Sequence, residues 1–130
     1  MDRETQKARI TALADKWLRP LGLLWWRKIE FVYYEDRGHF KKDGYVESAM
    51  ITYPSWAYLE AIVEVNLYAI AEASDEDLEY YFVHEMVHLL TDEFNPPDER
   101  EENVERTVTQ IARAFLWVAE MVGGDSEQGK

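Results

Sequence analysis

The stretch Val83-His84-Glu85-Met86-Val87-His88-Leu89, VHEMVHL, contains two of the three histidines in a chain of 130 residues. Residues four apart on an α-helix lie one above the other, so the rings of His84 and His88 can converge on one ion at about 2.0 to 2.1 Å. Glu85 is turned about 100° from His84, beside such an ion rather than on it, where its carboxylate can deprotonate a metal-bound water. The stretch therefore predicts a helix with two metal ligands and a general base.

The preceding residues predict where this helix begins. Ser74-Asp75-Glu76-Asp77 has the pattern of a helix N-cap followed by acids in the first turn, where the helix dipole favours negative charge. We expect the helix to run from about Asp75 to Leu90.

A second long helix is predicted after the turn Asn95-Pro96-Pro97-Asp98, because proline cannot continue a helix. It begins near Asp98, and the pair Gly123-Gly124 is expected to end it. Its apolar residues have the spacing of one buried face. They are Val104, Val108, Ile111, Phe115 and Val118.

A zinc ion that takes part in chemistry needs a third protein ligand and an open fourth position. An extended motif with a third histidine would need His at position 94, where this chain has Phe94. The second long helix instead begins with acids. They are Glu99, Glu101, Glu102 and Glu105. If this helix runs antiparallel to the first, a carboxylate in its first two turns comes level with His84 and His88.

The apolar face of the second helix narrows the choice of that carboxylate. A 100° step per residue places Glu101 and Glu105 at the edges of the buried face and Glu102 outside it. Glu105 is the preferred third ligand, and Glu101 is the reserve. With Glu101 as ligand, Glu105 could accept a hydrogen bond from the other N–H of a ligand histidine.

The first half of the chain predicts one helix and three strands. Helical spacing of apolar residues covers 4–18 and stops before Pro20, and strand patterns cover 25–34, 45–53 and 59–68. With the two later helices, this predicts an α+β fold with a small three-stranded sheet. We expect one domain over residues 1–122 and a flexible tail over 123–130.

Composition excludes several classes of partner. Asp plus Glu number 26 against 14 Lys plus Arg, and the net charge of -12 would repel phosphate backbones and anionic membranes. The same negative charge would attract a basic protein substrate, or it would mainly keep the protein soluble. The chain has no cysteine, so any metal must be held by His, Asp or Glu. With no signal-peptide or membrane-spanning pattern, a cytoplasmic location is expected.

The segments EDLEYYFVHEMVHLL (76–90) and ERTVTQIARAFL (105–116) resemble the compact HExxH-plus-Glu zinc metallopeptidases, the minimal gluzincins, many of them small phage or prokaryotic chains. The resemblance implies an N-terminal helix, a small sheet, an active-site helix and a glutamate helix over residues 1 to about 120. It also implies that His84 and His88 are zinc ligands, that Glu85 is the base and that Glu105 is the family's glutamate. For a phage-encoded chain, the location would be the host cytoplasm.

The chain departs from larger gluzincins in one respect. Those proteins add a downstream His or Tyr that stabilises the tetrahedral intermediate, and no His or Tyr follows Glu105 here. Oxyanion stabilisation would then come from zinc alone, from the backbone, or from an upstream tyrosine such as Tyr80 or Tyr81. His39 is expected to be a solvated loop residue.

These patterns lead to three functional hypotheses. The first is a zinc-dependent peptidase that pairs an extended peptide or protein substrate with the strand at 59–68. The second is a zinc-stabilised, non-catalytic interaction module, such as a phage or prokaryotic accessory protein. The third, suggested only by the charge, is a nucleic-acid mimic.

Overall fold

In the part of the chain that the structure describes, the strands lie together in the middle, with one α-helix before them and three after them. The computed structural model describes residues 1–42, 46–92 and 101–128, with side chains for all of these except 42, 101–104 and 123–128. The elements are α1 (Arg3–Trp17), β1 (Lys28–Tyr34), β2 (Lys41–Lys42), β3 (Val46–Glu47), β4 (Met50–Ser55), β5 (Glu60–Asn66), α2 (Leu67–Glu72), α3 (Asp75–Thr91) and α4 (Glu101–Gln128). This arrangement confirms the predicted α+β class.

The three-stranded sheet has the order β1-β5-β4, with β5 in the centre. It pairs parallel with β1 and antiparallel with β4. Side chains alternate along β5, so that Ala61, Val63 and Val65 are buried on the face covered by helices. On the same face, Phe31 of β1 stacks on Phe82 of α3 with ring centroids 5.9 Å apart. The sheet thus fixes the position of α3.

The strand predictions were partly wrong, and each error has a local cause. The predicted strand 45–53 is split, because β3 pairs with β2 in a separate two-stranded sheet. The second part of the predicted strand is β4, which continues through Pro54. An edge strand tolerates this residue although proline has no N–H to donate. The predicted strand 25–34 starts later because residues 23–25 form a 3-10 turn.

Helix α2 was not predicted, although the sequence carries a signal for it. The predicted strand 59–68 ends at Asn66, whose side-chain Oδ1 accepts a hydrogen bond from the Ala69 N–H at 3.2 Å. Asparagine is a favoured N-cap, so this contact turns the chain from β5 into α2.

The predictions for the long helices were closer. Helices α1 and α3 agree with the predicted ranges to within about one residue. The predicted turn at 95–98 and the start of the second helix near Asp98 lie outside the described residues. The predicted stop at Gly123-Gly124 is wrong, since α4 runs to Gln128. Glycine lowers helix propensity by only about 1 kcal/mol relative to alanine, so it does not by itself end a helix.

Among the described residues, no helix has the length and apolarity required to span a bilayer.

Helices α3 and α4 pack against each other in opposite directions. Tyr80, in the second turn of α3, lies against Thr109 and Arg113, whereas His88, near the end of α3, lies against Glu105. Residue numbers therefore fall along one helix as they rise along the other, as predicted.

The buried face of α4 differs in part from the predicted stripe. Val108 and Ala112 are fully buried, and Ile111, Phe115 and Ala119 pack against the core. Val118 was predicted to be buried but is 55% exposed. Ala112 is buried because it follows Val108 by four residues and therefore lies on the same side of the helix. Val104 falls outside the described side chains.

Substitution of Ala112 tests this packing. Because the side chain is fully buried between the helices, Ala112→Leu should overpack the interface and lower the free energy of unfolding by about 1 to 3 kcal/mol. The exposed neighbour Ala114, with the same substitution, should change it by less than about 0.5 kcal/mol. Urea denaturation followed by circular dichroism gives both values, and equal effects would contradict the packing described.

Candidate metal centre

His84 and His88 lie one turn apart on α3, on the side that faces α4. Their ring centroids are 5.0 Å apart, and their side chains are only 16% and 12% exposed. The opposite side of α3 is fully buried in the core through Phe82, Val83 and Met86. The burial of that side fixes the rotation of the helix and with it the direction of both imidazoles.

Glu105 comes from α4 and reaches both histidines. Its Oε2 is 3.0 Å from Nε2 of His84, and its Oε1 is 3.0 Å from Nε2 of His88. Glu105 precedes the buried residues Val108 and Ala112 by three and seven positions, so it lies on the same face of α4. The structure therefore brings the preferred glutamate to the histidines, while the side chain of the reserve, Glu101, lies outside the described ones.

These three residues have the spacing of a metal site. One nitrogen of each histidine and one oxygen of Glu105 lie within 4.8 Å of one another. Two ligand atoms about 2.05 Å from an ion, at a tetrahedral angle, would be about 3.3 Å apart, close to the 3.0 Å contacts found here. His84, His88 and Glu105 could therefore hold a metal ion.

The remaining ring nitrogen of each histidine also has a partner. Nδ1 of His88 is 2.9 and 3.1 Å from the two carboxylate oxygens of Asp92. Nδ1 of His84 is 3.5 Å from the Tyr80 hydroxyl, which is 3.5 Å from the Thr109 hydroxyl. Sequence reasoning missed Asp92, although an acid one helical turn after His88 was a signal for it.

The protonation of His84 suits coordination. Burial lowers its pKa, the charge of His88 lowers it further, and the Glu105 carboxylate opposes both, with a net pKa below the ordinary value. A histidine with a lowered pKa is neutral at pH 7, and the neutral ring is the form that binds a metal.

A cleft of about 500 Å³ lies beside His84. Its walls include Ala49 and Met50 at the start of β4, and Tyr81, His84 and Glu85 on α3. Tyr81 precedes Glu85 by four residues, so both lie on the cleft side of the helix. The predicted base therefore lines the same cavity as one of the predicted ligands.

The rim of this cleft was assigned to the wrong strand. The strand at 59–68 was expected to pair with a substrate, but β5 is bonded to a strand on each side. Within the described chain, β1 and β4 are the two edge strands of this sheet, and β4 is the one that packs against α3 and lines the cleft, through Met50. Strand order depends on contacts between distant segments, which the pattern of one strand does not contain.

His39 is not part of the cluster. It is exposed, as predicted, but its Nε2 lies 2.7 Å from Glu64 and its ring stacks on Tyr34 with centroids 4.6 Å apart. These contacts hold the 37–40 turn against the outer side of the sheet, so His39 has a structural role.

No protein-family model, curated protein or solved structure matches this chain. The resemblance to minimal gluzincins consequently depends on the residues quoted for it. The function of the site has to be argued from its geometry and chemistry.

The pKa of His84 provides a test of the cluster. Because the Glu105 carboxylate raises this pKa, Glu105→Gln should lower it below the parental value in metal-free protein. A titration of the histidine ring followed by NMR gives the pKa directly. Glu120→Gln, which removes an exposed charge farther along α4, should leave it unchanged. An unchanged or higher pKa in Glu105→Gln would contradict the contact.

Proposed function

We propose that the chain is a zinc-dependent peptidase of the HExxH-plus-Glu type, with His84, His88 and Glu105 as zinc ligands and Glu85 as the general base. The observation that carries the proposal is the convergence of two imidazoles and a carboxylate from different helices, each nitrogen 3.0 Å from an oxygen of Glu105. If the side chains of these residues pointed away from one another, the proposal would have no support.

The donor set favours zinc among the common metal ions. Two imidazole nitrogens and one carboxylate oxygen form a set typical of catalytic zinc sites, in which the fourth position stays open. Calcium and magnesium prefer sites made of oxygen atoms alone. When bound, zinc supplies Lewis acidity, which polarises a carbonyl group and lowers the pKa of water from 15.7 toward about 7.

We assign the proton transfers to Glu85. It follows His84 directly on α3, turned about 100° from it, and it lines the cleft. It takes a proton from the attacking water and passes it to the leaving amine, which lets the C–N bond break. Tyr80 and Tyr81 both line the cleft, and the Tyr80 hydroxyl already contacts His84 and Thr109, so we assign donation to the oxyanion to Tyr81.

Among the described strands, none pairs with β4 on the side away from β5, and this edge supports an extended peptide as the substrate. The Asn66 N–H donates to the Ala49 carbonyl at 2.9 Å, so by alternation Met50 and Thr52 direct their backbone groups away from β5. Pro54 is next in this alternation and has no N–H, so antiparallel pairing would end there. A peptide bound this way would lie along the cleft that contains Glu85.

Replacement of the base tests the mechanism. Glu85→Gln keeps the shape of the side chain but cannot accept the proton, so zinc content should be unchanged while kcat falls by about 10²- to 10⁴-fold. The assay is cleavage of a degenerate peptide library that includes basic sequences, with zinc measured on the same sample. Glu76→Gln, exposed on the first turn of α3, is the matched control and should retain full activity. Parental cleavage by Glu85→Gln would exclude this mechanism.

Replacement of the acids on α4 tests the ligand set. Glu105→Ala removes one of three ligands and should abolish retention of a single zinc ion per chain after dialysis, whereas Glu101→Ala should retain it. Elemental analysis of both variants beside the parent measures this. The reverse result would assign the third ligand to Glu101, and zinc retention by both variants would remove α4 from the site.

The second candidate is a zinc-stabilised interaction module without peptidase activity. The absence of any His or Tyr after Glu105 in the sequence favours it, because larger gluzincins use such a residue on the oxyanion. If the zinc-loaded protein cuts no member of the library while a chelator unfolds it, this alternative is correct.

A further inference from the structure

Asp92 makes the closest contact to a ligand histidine outside the three-residue cluster. It is the C-cap residue of α3, and its backbone N–H donates to the His88 carbonyl. Both oxygens of its side chain lie near Nδ1 of His88, at 2.9 and 3.1 Å. The Asp92 side chain is 35% exposed, so the contact is partly shielded from water.

The position of this acid is unfavourable for the helix itself. The C-terminus of an α-helix carries partial negative charge, so a carboxylate there is repelled by the helix dipole. The three acids at the opposite end, Asp75, Glu76 and Asp77, have the favourable placement. Helix stability therefore does not account for an acid at position 92, whereas the contact with His88 does.

We propose that Asp92 is a positioning residue that directs His88 toward the metal. By accepting the Nδ1 proton, it leaves the lone pair on Nε2, which is the nitrogen that faces Glu105. Asp92 cannot itself bind the same ion while it contacts Nδ1, because the two ring nitrogens point in different directions. The inference depends on the metal-binding part of the proposed function, and it does not depend on peptide cleavage.

The two ligand histidines are therefore held unequally. Among the described residues, the partner found for Nδ1 of His84 is the neutral Tyr80 hydroxyl at 3.5 Å, beyond the usual length of a strong hydrogen bond. A carboxylate partner at 2.9 Å increases the basicity of a ligand histidine more than a hydroxyl does. His88 is thus the more firmly oriented of the pair.

Zinc affinity, measured by competition with a chromophoric chelator, tests the proposal. Asp92→Ala should weaken zinc binding by about 10- to 100-fold. Asp92→Asn, which keeps a neutral acceptor, should fall between Asp92→Ala and the parent, and Tyr80→Phe should lose less than Asp92→Ala. Glu76→Ala removes a charge at the other end of α3 and should retain parental affinity.

Two further measurements separate positioning from a structural role. Asp92→Ala should lower the melting temperature of the zinc-loaded protein by more than that of the metal-free protein, because the metal-free protein loses contacts with His88 and Thr91 but also a charge that opposed the helix dipole. Glu76→Ala should lower both melting temperatures equally. In zinc-loaded parent protein, ¹⁵N NMR should show the proton of His88 on Nδ1, and this signal should shift in Asp92→Ala. A loss of metal-free stability with unchanged zinc affinity would make Asp92 structural and overturn the proposal.

The same experiment distinguishes failure of this inference from failure of the proposed function. Parental affinity in Asp92→Ala overturns the inference and leaves the peptidase proposal in place. A parent that binds zinc but cleaves no peptide overturns the peptidase, while the affinities of the variants still decide the role of Asp92. A parent that binds no zinc overturns both.

Discussion

The site depends on the packing of α3 between the sheet and α4. One side of this helix is fully buried, and burial of each large apolar side chain there contributes about 1.5 to 3 kcal/mol. Because Phe82 is held by Phe31 of the sheet, the helix cannot rotate without exposing its apolar side. The position of His84 and His88 is therefore a consequence of core packing. Val108 and Ala112 hold Glu105 against them in the same way.

The electrostatics of the cluster also favour a cation. Glu105 lies against both imidazoles, and Asp92 lies behind one of them, so two carboxylates flank a pair of mostly buried imidazoles. The histidine whose pKa is lowered by burial contributes no charge at neutral pH. One nitrogen of each histidine and one oxygen of Glu105 already lie within 4.8 Å of one another, so the three groups need not be brought together from a distance. The overall charge of -12 acts in the same direction.

The errors in the predicted fold occurred where distant segments decide the outcome. Repeated apolar spacing along one segment was sufficient for α1 and α3. The order of the sheet was not readable in this way, because β5 lies between two strands that precede it in the chain. The predicted strand 45–53 ended before Pro54 and the second long helix was predicted to end at Gly123-Gly124, yet β4 continues through the proline and α4 past the glycines. In both cases a local preference of limited size was given too much weight.

For the candidate site, helix geometry separates what the sequence determined from what the tertiary structure decided. The arrangement of His84, Glu85 and His88 could be derived from sequence alone, because backbone hydrogen bonds set the turn of a helix whatever surrounds it. Sequence also limited the third ligand to acids early in α4. Only the tertiary structure brought Glu105 to within 3.0 Å of both histidines and made β4 an edge of the sheet. The approach of two helices depends on the packing of many side chains from separate parts of the chain. A local sequence pattern does not specify which of these side chains will be in contact.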